Sequence, residues 1–539
     1  MAQTIWPKSD TMHGIVPPME SSMQIQQHHG LLENAAFTQP TSGETLRCQM
    51  LVVGASPSAY AAVLSALQNG AKVCWVQSSA IVAEPWVMQA SLGADDHALL
   101  RRPGYWKGVS GEKFAISRRH RRLRDRDRQL IQTLSSGSDA PQKLAVVALA
   151  TALNNELLPF INQGNLMLIA RAVPVAVLTA DSHRICRVVQ VVFRYINSKV
   201  RFSVHGSLTL DATSTSTLSK QVQPPIQVTG MTELQPPQLG GLTSHDKPWS
   251  SQARGAQFSD SVGIAHLEPP ELPPEQPSAQ NQSRRGQLRV LAGLTSWQSR
   301  RLRPFTLPLA AIVAAAPEGL LLSAASVSSA EWSPLAQQQP FQWAWGEAAG
   351  TVAAIALKLG YTKPDQPLLT WLQPLNGIDL LQRQLLQDGV PLYWFDDVSH
   401  DDPDFVPIQY MALKGIVRTV RERDLHFRPE TPVSRAVFAT ALVNLWEGDR
   451  RFPDSPSFQD VSRYHWAYAS VETAVNNGWM SGITAQDFFP SRILTQQQSY
   501  EILQRIAPSA IGSLFPQPPT EELLRRRDLA RMMYGLYLA

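Results

Sequence analysis

A short turn between two apolar stretches has the composition and spacing of a phosphate-binding loop. Gly54, Ser56 and Ala59 occupy the three small-residue positions of the pattern Gly-x-Gly-x-x-Gly/Ala. An apolar run at 50–53 precedes them, and an apolar predicted helix that ends near Gln68 follows. Small residues in such a turn let the backbone approach a pyrophosphate, and the helix N-terminus adds N–H donors and a partial positive charge. The spacing therefore indicates either a dinucleotide-binding turn or a βαβ turn that binds no ligand.

Three residues of this region depart from the usual dinucleotide chemistry. Ser56 places a side chain where the backbone comes closest to the phosphates, and Pro57 lacks a backbone N–H that could donate to them. Gln77 ends the second predicted strand, where an acidic residue commonly binds the ribose hydroxyls. Its amide can donate and accept hydrogen bonds but carries no charge, so Gln77 remains a candidate ribose ligand.

The elements around the turn predict an α/β fold. Strand, turn, helix, an Asn-Gly stop and a second strand follow one another within ~30 residues, which is the length of a βαβ unit. Downstream, the pattern predicts a helix at about 141–163, strands between 166 and 210, and an apolar helix from about Gly346 to residue 359. Between them, residues 214–286 are rich in Ser, Thr, Gln and Pro and are predicted to form a loop or linker.

Arginines are concentrated in the segment 118–128, which reads Arg-Arg-His-Arg-Arg-Leu-Arg-Asp-Arg-Asp-Arg. One interpretation is a solvated, partly helical face whose repulsion is relieved by Asp125 and Asp127. The other is a patch that binds an anion. The sequence alone leaves both open.

The overall composition excludes several classes of protein. The chain has 539 residues, which at about 150 residues per domain indicates two to four domains. Its net charge of +4 gives no reason to expect nucleic acid as a partner. The longest apolar runs, 144–153 and 309–316, are far shorter than the ~20 residues of a membrane span, so no transmembrane segment is predicted.

Cysteine usage and the N-terminal segment bear on the compartment. Cys48, Cys74 and Cys186 cannot all pair and are widely spaced, which argues against a disulfide scaffold or a zinc site. Residues 1–46 are polar, are predicted to be a disordered arm, and lack the basic start and apolar core of a signal peptide. A cytoplasmic location is therefore expected.

From about residue 393 the chain repeats itself. Phe395-Asp-Asp397-Val recurs as Phe458-Gln-Asp460-Val, and Gly415 recurs as Gly478. A third, shortened copy begins near Leu524, which gives about two and a half copies. Each copy is predicted to be helix, loop, helix, with the aspartates as N-caps and the glycines as C-caps. The prediction is an all-α repeat domain at 393–539.

Residues 47–392 resemble bacterial FAD-dependent oxidoreductases of the glutathione-reductase-like Rossmann group. Besides the opening βαβ turn, the matching pieces in chain order are Leu92-Gly-Ala-Asp-Asp-His, Asp211-Ala-Thr, Gly346-Glu-Ala-Ala-Gly and the helix at 379–392. The resemblance implies a Rossmann-type FAD-binding domain with an inserted β-rich substrate region and an unidentified small-molecule substrate. It implies cofactor contacts at Gly54, Ser56, Ala59, Gln77, Asp211, Gly346, Glu347 and Gly350.

Other positions depart from the pattern of that family. No catalytic residue can be assigned from the sequence. The Gly-Gly-Gln loop on the flavin side is not visible near 86–91, and Ser323-Ala-Ala stands where the family has Ala-Gly-Arg. These departures leave two expectations open, namely an FAD-dependent oxidoreductase or a related fold with weakened or lost flavin binding. No metal-ligating set is predicted.

Residues 393–539 resemble S-layer homology (SLH) repeats, most clearly in the second copy, with its Phe458-Gln-Asp-Val and His465-Trp-Ala-Tyr pieces. The family implies three repeats packed as a prism that binds cell-wall polysaccharide, with an arginine on an anionic sugar substituent. That residue corresponds to Arg435 and Arg526 here, whereas the second copy has Gln496. The resemblance therefore adds an alternative function: a non-catalytic scaffold, associated with the cell envelope, that contacts polysaccharide or a protein partner. Trp466, Tyr468 and Trp479 are expected to be core aromatics.

Overall fold

The computed structural model describes residues 37–85, single positions between 87 and 129, and residues 141–222, 261–265, 305–324, 339–361 and 366–539, with short gaps inside these ranges. It divides the chain into two compact units. The first comprises residues 1–243 and 260–390, and the second comprises 244–259 and 391–539.

The first unit is built on a mixed sheet of seven strands. The strands of this unit are β1 (Thr45–Val53), β2 (Val73–Val76), β3 (Leu166–Ile169), β4 (Ala172–Ser182), β5 (Ile185–Tyr195), β6 (Arg201–Asp211), β7 (Ser261–Ala265), β8 (Phe305–Pro308) and β9 (Leu320–Leu322). The order across the sheet is β3-β2-β1-β6-β5-β4, and β9 pairs with the end of β6. Strands β7 and β8 form a separate antiparallel pair.

Parallel pairing brings the ends of the central strands to one edge of the sheet. β1 pairs in parallel with β2 and β6, and β9 pairs in parallel with β6. Strand β5 is antiparallel to both of its neighbours, β4 and β6. The central strands are buried on both faces, as in a sheet that helices cover, and Leu51 and Val76 are fully buried. Because the chain leaves β1 toward β2 while β6 lies on its other side, the carboxyl end of β1 is a topological switch point.

Helices cover this sheet. In the first unit they are α1 (Pro57–Gln68), α2 (Pro141–Asn162), α3 (Thr217–Gln221), α4 (Gln339–Lys358), α5 (Leu368–Leu372) and α6 (Gly377–Gln387). Proline at the first position of α1 suits a helix start, since its missing N–H would have no intrahelical partner there. The helix ends before Gly70, whose φ of +88° lies in the left-handed region.

Three predicted boundaries are wrong. The ordered chain begins before residue 47, because β1 starts at Thr45 and the Thr38 N–H donates to the Leu168 carbonyl. Part of the predicted linker, Ser261–Ala265, forms β7. Helix α4 begins at Gln339 rather than near Gly346, so that glycine lies inside the helix.

The second unit is largely helical. Its helices are α7 (Phe405–Leu413), α8 (Arg435–Leu445), α9 (Tyr468–Asn476), α10 (Gln496–Ile506), α11 (Ile511–Leu514) and α12 (Arg526–Leu538). Gly415 and Gly478 have φ near +70° just after α7 and α9, which confirms their prediction as C-caps. The N-cap prediction is wrong: Asp397 and Asp460 precede the helices and accept hydrogen bonds from backbone N–H groups at 427–428 and 488–489.

Three extended segments close the second unit into a ring. The Val433 N–H donates to the Leu524 carbonyl (2.8 Å), the Leu524 N–H to the Leu494 carbonyl (2.8 Å), and the Leu494 N–H to the Val433 carbonyl (3.0 Å). Each segment leads into one helix, α12, α10 or α8. The shortened third copy therefore supplies a full side of a pseudo-threefold arrangement.

Candidate functional site

Gly54 lies at the carboxyl end of β1, where the chain turns into α1. Its φ of +128° is accessible to glycine but strained for other residues. A Cβ at this position would come closer than 3.0 Å to the Ala212 backbone, so the loops after β1 and β6 pack against each other here. The Trp75 indole N–H donates to the Gly54 carbonyl at 2.7 Å and fixes the turn from the neighbouring strand. The predicted glycine is thus required by the fold of this edge.

The Ser56 side chain and the Ala59 backbone N–H form hydrogen bonds within the protein. Ser56 is the N-cap of α1, and its Oγ accepts from the Ala59 N–H (3.2 Å) and donates to the Ala212 carbonyl (2.9 Å). The serine therefore occupies one of the N–H groups that a phosphate could otherwise accept from. It also ties the turn to the end of β6.

Three buried polar atoms at the same edge have no hydrogen-bond partner among the described residues. They are Ser58 Oγ in the first turn of α1, Gln77 Oε1 after β2 and Ser323 Oγ after β9. Each of these residues is 1% exposed. Across strands about 4.8 Å apart, Gln77 and Ser323 lie about 14 Å from each other. Because buried polar groups are rarely left unpaired, this edge fits an extended polar ligand such as a dinucleotide.

The partners of Gln77 show how its side chain is oriented. Its Nε2 donates to the carbonyls of Ser79 (3.2 Å) and Ile81 (3.3 Å). The amide nitrogen is thereby used by the loop, and the oxygen remains as an acceptor. An acceptor without a donor suits a hydroxyl group, which is consistent with the predicted contact to a ribose.

Asp211 is fully buried at the end of β6, beside the turn, but its carboxylate is bound by its own loop. It accepts from the backbone N–H and the hydroxyl of Thr213 and of Ser219, at 2.6 to 3.2 Å. Four donors fill the acceptor sites of the carboxylate. Asp211 therefore shapes the edge by holding the start of α3.

Gly346 and Gly350 lie inside α4, where they face α1. A Cβ at either glycine would come closer than 3.0 Å to a backbone carbonyl of α1, that of Ser58 or Ala62. The pair at i and i+4 thus allows close contact between the two helix backbones, as small residues do elsewhere. The resemblance assigned them to a helix start facing the cofactor; their position within α4 corrects that expectation.

Glu347 lies between them and is 1% exposed. It accepts a hydrogen bond from the Ser117 hydroxyl (2.8 Å) and lies 3.7 Å from Arg119. Burial raises its pKa to about 7, while Arg119 and Ser117 act in the opposite direction. The carboxyl therefore belongs to a buried polar cluster that also includes Asp388, which pairs with Arg119 at 3.1 Å.

In the second unit, the two predicted glycan-binding arginines are buried. Arg435 and Arg526 are 8% and 4% exposed. Their Nε atoms donate to the carbonyls of Phe488 (2.8 Å) and Phe427 (2.7 Å), and each guanidinium lies over the ring of the same phenylalanine. Each arginine therefore joins its own helix to the loop of another repeat.

Replacing these arginines is expected to destabilise the second unit. Arg435→Ala and Arg526→Ala would each leave a buried carbonyl unpaired and lower the free energy of unfolding by about 1–3 kcal/mol. Denaturant unfolding measures the loss. Arg492→Ala, at an exposed arginine of the same unit, is the control and should change stability by less than about 0.5 kcal/mol. Equal stability of all three variants and the wild type would contradict the structural role.

The predicted core aromatics divide into two groups. Tyr468 is 3% exposed, whereas Trp466 is 66% exposed and the neighbouring Tyr464 is 99% exposed. Trp479 is half-buried and its ring lies 4.8 Å from that of Trp446. The prediction is confirmed for Tyr468 and wrong for Trp466.

Sequence reasoning missed Ser58 and named Ser323 only as part of a departure from the family, because a serine at the end of a strand or in a first helical turn carries no distinct signal. The piece at 92–97 lies outside the described residues. Within the described part of the chain, no group of His, Cys, Asp and Glu could hold a metal ion. No helix in that part is both long and apolar enough to span a bilayer.

Comparison with known proteins found a matching family and a similar surface-layer protein. Residues 49–239 match the family described as FAD dependent oxidoreductase. The surface-layer 125 kDa protein of Lysinibacillus sphaericus is 28% identical over 96 residues, which is 18% of this chain and 8% of that protein's length.

Similar solved structures include a geranylgeranyl bacteriochlorophyll reductase-like protein from Thermoplasma acidophilum, with 12% identity and a TM-score of 0.29 over 68% of this chain and 92% of that chain. They also include E. coli quinol fumarate reductase, with 10% identity and a TM-score of 0.28 over 75% and 82%. At such scores these likenesses do not define an activity. The family match supports an FAD-dependent oxidoreductase-like domain that includes residues 49–239, with FAD as its cofactor.

Proposed function

We propose that the first unit binds FAD along the carboxyl edge of its sheet and acts as an oxidoreductase on a small molecule. The observation that carries this is the row of unpartnered polar atoms at Ser58, Gln77 and Ser323, which lies at the switch point of the sheet. The match of residues 49–239 to FAD dependent oxidoreductases agrees with it. When bound, the flavin supplies the electron-transfer chemistry.

The chain's own residues would bind and orient the cofactor. The first turn of α1 would hold the phosphates, and the Ser58 hydroxyl would donate to a phosphate oxygen. Gln77 Oε1 would accept from a ribose hydroxyl. Ser56 and Pro57 reduce the number of backbone donors at the turn, so FAD is held more weakly than by a turn with all its N–H groups available.

Absorbance spectroscopy tests FAD binding directly. We expect the purified protein to carry less than one FAD per chain and to acquire a stable flavin spectrum after added FAD and gel filtration. A preparation that stays colourless after this treatment refutes the proposal.

A pair of serine variants locates the cofactor. Ser58→Ala is expected to weaken FAD binding about five- to ten-fold without lowering the stability of the apoprotein, because it removes a hydroxyl that bonds to none of the residues the structure describes. Ser65 lies on the same helix, and its hydroxyl contacts Thr351 Oγ1 at 2.7 Å and the Glu347 carbonyl at 3.2 Å. Ser65→Ala should therefore lower stability by about 1 kcal/mol and leave FAD affinity unchanged. Identical FAD affinities for wild type and Ser58→Ala would exclude a cofactor contact at this position.

A second function, wall binding by the repeats, is favoured by the exposed rings of Tyr464 and Trp466 and by the local similarity to a surface-layer protein. We propose that these rings contact polysaccharide, since apolar patches left at a surface commonly mark binding sites. Retention on purified cell-wall polysaccharide should fall for Tyr464→Ala with Trp466→Ala. It should persist for Leu538→Ala, another exposed apolar residue. Equal retention of both variants would leave the scaffold interpretation without support.

A further inference from the structure

We propose that a cavity lined by four arginines in the first unit binds a small phosphate-bearing anion. The cavity has a volume of about 290 Å³. Its polar and charged lining consists of Gln68, Arg118, Arg119, Arg122, Arg126, Glu156, Gln387 and Asp388. This volume lies at the lower end of the range for small-molecule sites.

The arginines converge because of their spacing. Arg118, Arg122 and Arg126 are four residues apart, and all three positions are helical, so their side chains lie on one face. Arg118 is fixed at the start of this row, since its backbone N–H donates to the Gly389 carbonyl at 3.2 Å. Arg118, Arg119, Arg122 and Arg126, the arginines of this segment that the structure describes, thus line one side of the cavity.

The charges of the lining do not balance. Four guanidinium groups face two carboxylates, those of Glu156 and Asp388. Arg126 pairs with Glu156, and Arg119 pairs with Asp388 at 3.1 Å and lies 3.7 Å from the buried Glu347. Arg122 forms no ion pair with any residue that the structure describes. Even with Glu347 counted, the four guanidinium groups outnumber the carboxylates named here, so the cavity favours an anion.

The geometry of the guanidinium group favours phosphate over a monovalent ion. A guanidinium presents its donors as a planar fork that binds two oxygens of a phosphate at once. Arg119 is 10% exposed on its side chain and is held by Asp388, so part of the donor array is already ordered before a ligand binds.

The cavity is separate from the proposed nucleotide edge. It contacts α1 at Leu64 and Gln68, whereas the edge begins at Ser56. At 1.5 Å per residue these positions lie roughly 12–18 Å apart along the helix. A phosphate in the cavity is therefore a second ligand and does not depend on FAD being bound.

Isothermal titration calorimetry with inorganic pyrophosphate tests the site, on the full chain with and without added FAD. The double variant Arg118→Gln with Arg122→Gln is expected to raise the pyrophosphate Kd at least about ten-fold, because two charge-assisted contacts are lost. The single variant Arg122→Gln, at an exposed position, should show part of the loss and does not threaten folding. Citrate, an anion of similar charge, should bind more weakly than pyrophosphate.

The matched control is Arg194→Gln with Arg201→Gln, which removes the same charge from an exposed, directly paired position on β5 and β6. It should leave the Kd within about two-fold of wild type. Equal Kd values for the two double variants would overturn the proposal. Loss of pyrophosphate binding on addition of FAD, with no effect of Arg118 and Arg122, would assign the anion to the nucleotide edge instead. Tighter binding of citrate would refute the assignment to phosphate.

Discussion

Glu347→Gln is expected to make the first unit less sensitive to pH, with a gain in stability relative to wild type that grows as the pH rises. Burial raises the pKa of Glu347 in the folded protein to about 7, against an ordinary value of 4.5. Between these two values the folded chain retains a proton that the unfolded chain has released. The free energy of unfolding therefore falls as the pH increases, by roughly 3 kcal/mol across the window. Glutamine does not titrate and abolishes this loss.

The measurement is denaturant unfolding of both proteins at pH 5, 6, 7 and 8. At pH 5 the two should be similar, because the neutral carboxyl and the amide have nearly the same shape and both can accept from Ser117. At pH 8 the variant should be more stable by up to about 3 kcal/mol. Parallel pH curves for the two proteins would contradict a buried titrating carboxyl.

Ser117→Ala is expected to change the pH dependence of stability in the opposite direction. The Ser117 hydroxyl donates to Glu347 and lowers its pKa. Removing this bond should raise that pKa further, so the fall in stability should extend to higher pH than in the wild type. If the stability of Ser117→Ala instead became less dependent on pH, as expected for Glu347→Gln, the two residues would not act on the same proton.

The order of the opening βαβ unit and most of its boundaries could be predicted from the sequence. The predicted strand at 50–53 lies within β1, which begins five residues earlier, and the predicted helix end at Gln68 and second strand ending at Gln77 agree with α1 and β2 to within one residue. These elements depend on local signals, namely β-branched runs, a proline at a helix start and an Asn-Gly stop. Such local signals act within a few residues and do not depend on contacts with distant parts of the chain.

Contacts between distant segments could not be predicted. Asp397 and Asp460 were placed at helix starts because aspartate is a common N-cap, yet each binds a loop about 30 residues further on. Arg435 has the residue type of a sugar ligand, but its Nε bonds a carbonyl of another repeat. A residue type states which bonds a side chain can form, and only the three-dimensional arrangement decides which partner is within reach.

The contact made by the glycines of α4 could not be predicted from the sequence either. A Gly-x-x-x-Gly pair permits either a phosphate or a second helix to approach the backbone, and the sequence does not distinguish them. In the structure the space beside Gly346 is taken by the backbone of Ser58, in the first turn of α1. The stability of this unit and the position of the proposed cofactor site are therefore coupled through one helix contact.

Gly346→Ala is accordingly expected to destabilise the first unit by about 3 kcal/mol, because the new methyl group meets the rigid Ser58 carbonyl rather than a flexible side chain. Combined with Gly350→Ala, it should abolish the folded first unit, measured by denaturant unfolding and by the loss of FAD binding. Gly512→Ala, where a Cβ meets open space within a helix, should instead be neutral or stabilising by about 0.5–1 kcal/mol. If Gly346→Ala were as stable as wild type, α1 and α4 could not be in backbone contact. The position of Ser58, on which the cofactor proposal depends, would then need a different explanation.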